Sequence, residues 1–500
     1  MTLVKQGLLW GTIVLLFSNI FVKGLGFFYR VMLVRLLGAE GIGLVEMVMP
    51  LYSFLLVVAG LGIQLALSQR TAALGRAAAG EFRTAQILLV ISGGTICLLA
   101  FYLAPFLTSH FVPDARIYEG FIAILPGIFI ISLASAYRGY FQGQQQVSTI
   151  GMSQSVEQVV RTACGIWLVG RLASQGIETA AMGASIATVL GEVAGFLYLV
   201  LRLKINGDSL RARFSPTSAK RLLRFGLPVT AGRLATSGIL MLQAFLIPFC
   251  LQMAGWDMRA ATEMYGRFAG VALALVHLPN VFTSALAVSV MPAVAEQSGG
   301  GQLLNKRVAN SLQAAGIFTM PGMLVIFLFA EPLCATLFNS PLAAPLVRIL
   351  AVGGIFSHLQ VTLASVLQGL GQVRALLINN ILAGLVLLAG IVLLVPTIGI
   401  EGAAYAANIA WLSGFMLNLL HLRRICRISL QWGNILLKPA LAALIAAILF
   451  MLYQPLLNNL LLPGLLSLLL PLMLVGLSYF AVLLLSKGLS IGLWSRIKKH

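Results

Sequence analysis

Long apolar runs separated by short polar breaks succeed one another from Leu8 to Ser486. Each approaches the roughly 20 residues that carry a helix across the hydrocarbon core of a bilayer. Fourteen segments can be drawn, near 8–34, 42–67, 86–108, 120–137, 148–170, 179–201, 225–254, 268–292, 308–330, 342–367, 375–396, 402–422, 439–456 and 464–486. The first apolar run, Leu8 to Val22, resembles a secretory leader. It continues through Lys23, Arg30 and Arg35 without a small-residue cleavage site, so it reads as a retained span. The pattern predicts an all-α polytopic membrane protein.

The breaks between runs carry a repeat. Gln142-Gly143-x-x-Gln146-Val147 returns as Gln368-Gly369-x-x-Gln372-Val373, and Gly176-Ile177-Glu178-x-Ala180-Ala181 returns as Gly399-Ile400-Glu401-x-Ala403-Ala404. Ala104-Pro105 through Phe111 is echoed by Glu331-Pro332 through Phe338, and Pro50 stands opposite Pro279. The offsets, 226, 223, 227 and 229, are nearly constant. Six spans per repeat give both copies the same topology, so the halves are expected to be parallel repeats about an axis along the membrane normal. The expected organisation is an N-lobe over 1–201, a basic linker over 202–224 and a C-lobe over 225–422. Two extra spans follow over 423–486, then a basic tail over 487–500.

Composition agrees with the pattern. Of 500 residues 59% are hydrophobic and 9% charged, with mean hydropathy +0.98, whereas a soluble domain carries about a quarter charged residues. The net charge of +19 raises the question of nucleic acid. With the N-terminus placed in the cytoplasm, 23 of the 33 Lys and Arg fall on inner loops and tails and five on the outer side. That bias orients an N-in, C-in protein against anionic inner-leaflet lipid and excludes a nucleic-acid surface. The five cysteines are scattered, with no metal-ligand spacing, and neither a metal nor another cofactor is expected.

Ionisable groups inside spans are costly and usually face a cavity or a partner. Here they are the acids Glu46, Glu157 and Glu192 and the bases Lys23, Arg30, Arg161, Arg233 and Arg348, a positive interior. Lys23 and Arg30, seven apart, share a face of span 1, and Arg233 occupies a similar depth in span 7. Converging cations suit a phosphate or diphosphate; the alternative is that they snorkel to an interface or pair with Glu46 and Glu192. Those two carboxylates are candidates for coupling protons or sodium, or for structural pairing. The stretch "RGYFQGQQQVSTIGMSQSVEQVVR" is the most polar region near a span. Its first part is expected as the loop between spans 4 and 5. Its second part sets Gln154, Gln158 and Arg161 on one stripe of span 5, with Glu157 one turn before Arg161. The stripe is expected to line a cavity, with Glu157 holding Arg161; a simple neutralising pair is the alternative.

"GFFYRVMLVRLLGAEGIGL", "RGYFQGQQQ", "MSQSVEQVVR" and "GIETAAMGASIATVLGEVAGFLYL" closely resemble the stage V sporulation protein B family. That family belongs to the polysaccharide-exporter branch of the superfamily holding the lipid II flippases and the multidrug and toxin extruders. The resemblance implies two six-helix lobes plus two extra helices, and no enzymatic chemistry. It also implies outward flipping of an undecaprenyl-diphosphate-linked sugar during spore cortex synthesis, in a cell or forespore membrane beside cell-wall synthesis enzymes. Lys23 falls on a cationic position of the flippase motif in span 1; Arg30 does not. The rivals are a cation-coupled multidrug extruder, whose cationic cargo a positive interior would repel, and a membrane-embedded glycosyltransferase. The latter needs acids or histidines grouped on an aqueous face, whereas the outer loops offer Asp114, Glu119, Asp257 and Glu263 scattered apart.

Overall fold

A computed structural model describes residues 2–206, 212–295, 302–426, 431–458 and 466–486. The expected basic tail over 487–500, together with Arg211 and Arg427, lies outside these residues. The described residues form helices and short connections, and the chain divides into two compact units between Gly270 and Val271.

The first unit contains α1 (Thr2–Gly60), α2 (Ile63–Leu74), α3 (Ala79–His110), α4 (Tyr118–Gly143), α5 (Val147–Leu172), α6 (Ile177–Ile205), α7 (Pro216–Met253) and α8 (Met258–Gly266). The expected loop between spans 1 and 2 is compressed to one break inside α1, at Gly38, where φ is 67° and ψ −177°. Glycine enters this left-handed region without a Cβ penalty. Ser215 caps α7, accepting from the Ser218 amide at 3.3 Å with Pro216 at the first helical position, and Asp257 caps α8 by accepting from the Ala260 amide at 2.9 Å.

The second unit contains α9 (Leu273–Val276), α10 (Asn280–Ala295), α11 (Gln302–Leu328), α12 (Ala330–Phe338), α13 (Ala344–Gly369), α14 (Val373–Ile398), α15 (Ile400–Ile425), α16 (Lys438–Asn458) and α17 (Leu466–Leu485). Its packing repeats that of the first unit. α4 packs on α6 as α13 does on α15, α5 on α6 as α14 on α15, and α3 on α4 as α11 on α13. α16 and α17 pack on each other and on α11, where Tyr479 donates to the Ile317 carbonyl at 3.1 Å.

The repeated Gln-Gly motif is a structural device in both copies. In α4 the chain leaves the helix with Gln145 at φ 61°, and the Gln146 amide returns to the Phe141 carbonyl at 2.9 Å. In α13 Gly371 has φ 74°, and the Gln372 amide returns to Leu367 at 2.8 Å. Both are left-handed helix ends with a 6→1 bond. The motif glycine is needed for a close approach: a methyl at Gly143 would lie 2.5 Å from the Ser68 carbonyl, and one at Gly369 2.6 Å from that of Met291.

Ten helices among the described residues are long and apolar enough to cross a membrane, which makes this a multi-pass membrane protein. The other four expected crossings fall elsewhere. One is the part of α1 beyond Gly38; another is α5, which its polar stripe makes less hydropathic. The third is the segment over 267–295, interrupted by the π-helical turn Arg267–Ala272, and the fourth is α17.

Candidate functional site

Glu46 comes back to Arg30 because of the Gly38 break. The Arg30 Nη2 atom donates to Glu46 Oε1 at 2.6 Å across 16 positions of one helical run. In an unbroken helix these positions would be roughly 24 Å apart. Arg30 Nη1 donates to the Ala269 carbonyl at 3.0 Å, and the Tyr265 hydroxyl reaches the Glu46 carbonyl at 3.3 Å. Carbonyls are free to accept there because the π-helical turn at Arg267–Ala272 shifts the helical ladder. One guanidinium thereby ties both limbs of α1 to the π-helical turn that follows α8.

A second polar centre joins α1, α4, α5 and α6. Arg161 Nη2 donates to Glu157 Oε1 at 2.6 Å, and Arg138 Nη2 donates to Glu157 Oε2 at 2.9 Å. Arg161 also stands 4.0 Å from Glu192, whose two oxygens accept from the Tyr52 hydroxyl at 2.8 and 2.7 Å. Glu192 is buried. A carboxylate removed from water is costly unless it is satisfied; the Tyr52 hydroxyl supplies the donor and Arg161 an opposite charge. The helices close on this centre through glycine: a methyl at Gly127 would sit 2.3 Å from Glu192 Oε2 and 2.4 Å from the Tyr52 hydroxyl. Arg138 Nε and Arg161 Nε are buried donors without a partner among the described residues.

The remaining expected site residues fall in different surroundings. Gln158 is buried, its Nε2 reaching Thr162 Oγ1 at 3.5 Å and standing 3.6 Å from where a Gly26 methyl would lie, so its amide fills the α1–α5 packing. Gln154 is half-buried on the same helix. Lys23 is exposed on α1 and Arg233 is exposed on α7; the Arg233 side chain has no partner among the described residues. Arg348 stands 3.6 Å from Glu331 at an exposed position.

Sequence reading missed three participants. Arg138, counted among loop cations, lies within α4 and shares Glu157 with Arg161. Tyr52 offered one sequence signal: a tyrosine in a span must find a partner for its hydroxyl. Asp114 is not one of a scattered set. It is fully buried and accepts from the Arg116 side chain at 2.7 Å and from the Thr262 hydroxyl at 2.7 Å, while Arg116 also bonds Glu40.

The three acids inside spans of the first unit, Glu46, Glu157 and Glu192, are therefore all engaged by donors. Five cations, Lys23, Arg30, Arg138, Arg161 and Arg233, stand against them, and the surplus charge is positive.

Comparison with known proteins agrees with this architecture. The family described as polysaccharide biosynthesis protein matches residues 8–297. Stage V sporulation protein B of Bacillus subtilis is 30% identical over 420 residues, which covers 80% of this chain and 81% of that protein. Lipid II flippase MurJ of Bacillus subtilis is 22% identical over 458 residues, 83% of this chain and 82% of that protein. Among solved structures, lipid II flippase MurJ in an inward closed conformation matches 95% of this chain and 99% of its own with TM-score 0.76 at 12% identity, a likeness of fold.

Proposed function

The chain belongs to the polysaccharide biosynthesis protein family, and we propose that it is a flippase. Its cargo is an undecaprenyl-diphosphate-linked sugar, a peptidoglycan or polysaccharide precursor, moved outward by alternating access of the lobes over 1–201 and 225–422. One observation carries the reading: the three acids inside spans of the first unit, Glu46, Glu157 and Glu192, are already engaged, and the cations there exceed them. A site whose acids are neutralised internally attracts an anion and repels a cationic drug, so the multidrug-extruder reading falls behind. A membrane-embedded glycosyltransferase would need acids or histidines grouped at an aqueous face, and Asp114 is instead buried and bonded to Arg116 and Thr262.

In this reading Lys23 and Arg233 meet the diphosphate first. Arg30 exchanges the Glu46 carboxylate for phosphate as the cargo enters. On the polar stripe of α5, Gln154 and Arg161 serve the sugar end, with Glu157 setting the Arg161 guanidinium and Gln158 packing the stripe against α1. Arginine suits this task because its fork can take two phosphate oxygens, while lysine supplies a point charge. The names of the relatives support a place in sporulation; within it the proposal places the chain in spore cortex synthesis, in a cell or forespore membrane beside cell-wall synthesis enzymes. The N-in orientation rests on the asymmetry of the basic loops. Reconstitution in liposomes with a fluorescent undecaprenyl-diphosphate sugar tests the reading: protein-dependent exchange between leaflets is expected, and exchange no faster than in protein-free liposomes contradicts it.

A further inference from the structure

We infer that the second unit carries a separate binding site for a phosphate-bearing, hydroxylated headgroup, in a polar cavity between α11 and the π-helical turn Gly433–Leu437. This inference does not depend on the proposed transport activity.

The cavity, of about 460 Å³, is lined chiefly by Asn305, Lys306, Asn310, Gln313, Gln431 and Asn434. Lys306, Asn310 and Gln313 follow at i, i+4 and i+7, one stripe of α11. The other face of the same helix is apolar: Leu304, Val308, Leu312 and Ala315 are buried in the core of the unit. So α11 places a polar stripe beside a cavity in a chain of which 9% is charged. Neither the Arg30–Glu46 pair nor the Glu157 centre uses it.

The opposite wall is held in place from behind. The Ile435 carbonyl rests against Gly316, where a methyl would approach it to 2.3 Å. The Asn434 and Ile435 amides both donate to the Gln431 carbonyl, at 2.9 and 3.2 Å, and Asn434 Nδ2 donates to Gln431 Oε1 at 2.7 Å. Trp432 points the other way, packing edge-on against Phe415 and lying beneath the Arg423 guanidinium at 5.7 Å. The amide wall is therefore set by core packing.

The chemistry of the lining selects the ligand class. Among the described residues, no carboxylate lines the cavity. Five amides offer donors and acceptors together, which fits hydroxyl groups, and Lys306 supplies one positive charge. A phosphate ester carrying free hydroxyls meets both demands. A zwitterionic choline headgroup does not, because its quaternary ammonium carries no N–H or O–H to give the amide acceptors. Two sources present this chemistry: the headgroup of an anionic phospholipid such as phosphatidylglycerol, and a soluble glycerol or sugar phosphate.

Isothermal titration calorimetry on the purified full-length protein in non-ionic detergent separates them. The probes are dihexanoyl-phosphatidylglycerol, dihexanoyl-phosphatidylcholine and glycerol 1-phosphate. The expected result is phosphatidylglycerol binding about tenfold tighter than phosphatidylcholine, with about a tenfold loss in Lys306→Gln, the scale of one charge-assisted contact. An Asn310→Leu/Gln313→Leu variant should weaken the same binding. Glycerol 1-phosphate binding that also depends on Lys306 identifies the phosphate headgroup alone as sufficient. Binding of phosphatidylglycerol alone identifies the lipid as the source. Equal affinity for the two lipids in the wild-type protein, or phosphatidylglycerol affinity unchanged in both variants, overturns the site.

Discussion

Arg30 and Glu46 stand 16 positions apart on one helical run, and their side chains meet at 2.6 Å. The pair reports the reversal at Gly38, and Arg30 Nη1 adds the Ala269 carbonyl in the π-helical turn after α8. Two kinds of contact on one guanidinium can be separated by substitution. Glu46→Gln leaves a neutral acceptor and is expected to cost about 2 kcal/mol, since removing one partner of a partly buried pair leaves an uncompensated charge. In the swap Arg30→Glu/Glu46→Arg the pair re-forms, but the carboxylate at 30 cannot donate to Ala269. Thermal unfolding in detergent should therefore place the swap between wild type and Arg30→Ala. A swap as stable as wild type would show that the carbonyl contact contributes nothing.

Glu157 is a hub rather than half of a pair, and this changes what its replacement should do. Glu157→Gln strands both Arg138 and Arg161, so the loss of stability should exceed that of Arg138→Ala. A scale of about 3 kcal/mol is expected for breaking a buried ion pair. The exchange Glu157→Arg/Arg161→Glu brings a guanidinium to face Arg138, and it should be less stable than wild type. If unfolding showed the exchanged protein to be as stable as wild type, Arg138 would have no part in the centre.

Gly127 is the tight point of the second centre. Gly127→Ala drives a methyl into the Glu192 carboxylate and the Tyr52 hydroxyl at 2.3 and 2.4 Å. Overpacking of this kind costs about 1–3 kcal/mol. Tyr52→Phe removes the hydroxyl and lets the carboxylate turn, so the loss in the double variant should be smaller than the sum of the two single losses. Strict additivity in the unfolding midpoints would refute this coupling.

These relationships divide by sequence distance, which explains what could be read beforehand. The Glu157–Arg161 pair was legible because i, i+4 spacing fixes proximity on any helix. The repeat was legible because its turns are local: Gln145 and Gly371 adopt the same left-handed conformation in loops of the same length. Tyr52 and Glu192 are 140 positions apart, and Asp114 and Thr262 are 148 apart. No local period encodes such contacts; they depend on which helix faces pack. A span drawn to 137 leaves Arg138 in a loop, because helix ends are the least certain part of a sequence reading. Its helix runs on to Gly143 before the turn after the Gln-Gly motif ends it.

The extra helices invite a truncation. α16 and α17 bury Ala442, Ala446, Tyr479 and Leu483 against α11 and expose Leu444, Leu452, Met473 and Leu477 on the other side. If they guide the lipid tail, the chain ended after Lys438 should insert and remain folded yet exchange precursor at least several-fold more slowly. Normal exchange by the shortened chain would exclude that role.

In the proposed function, surplus cations in the first unit read an anionic cargo. This is tested most directly by leaflet exchange in liposomes, comparing an undecaprenyl-diphosphate sugar with the same sugar on uncharged undecaprenol. Wild type should move the diphosphate lipid and discriminate against the neutral one. Lys23→Gln/Arg233→Gln should lose about a hundredfold in rate on the diphosphate lipid, the scale of two charge-assisted contacts. Lys23→Ala/Arg30→Ala should abolish exchange with expression intact. Equal rates on the two lipids, or a Lys23→Ala/Arg30→Ala protein as active as wild type, would contradict the account.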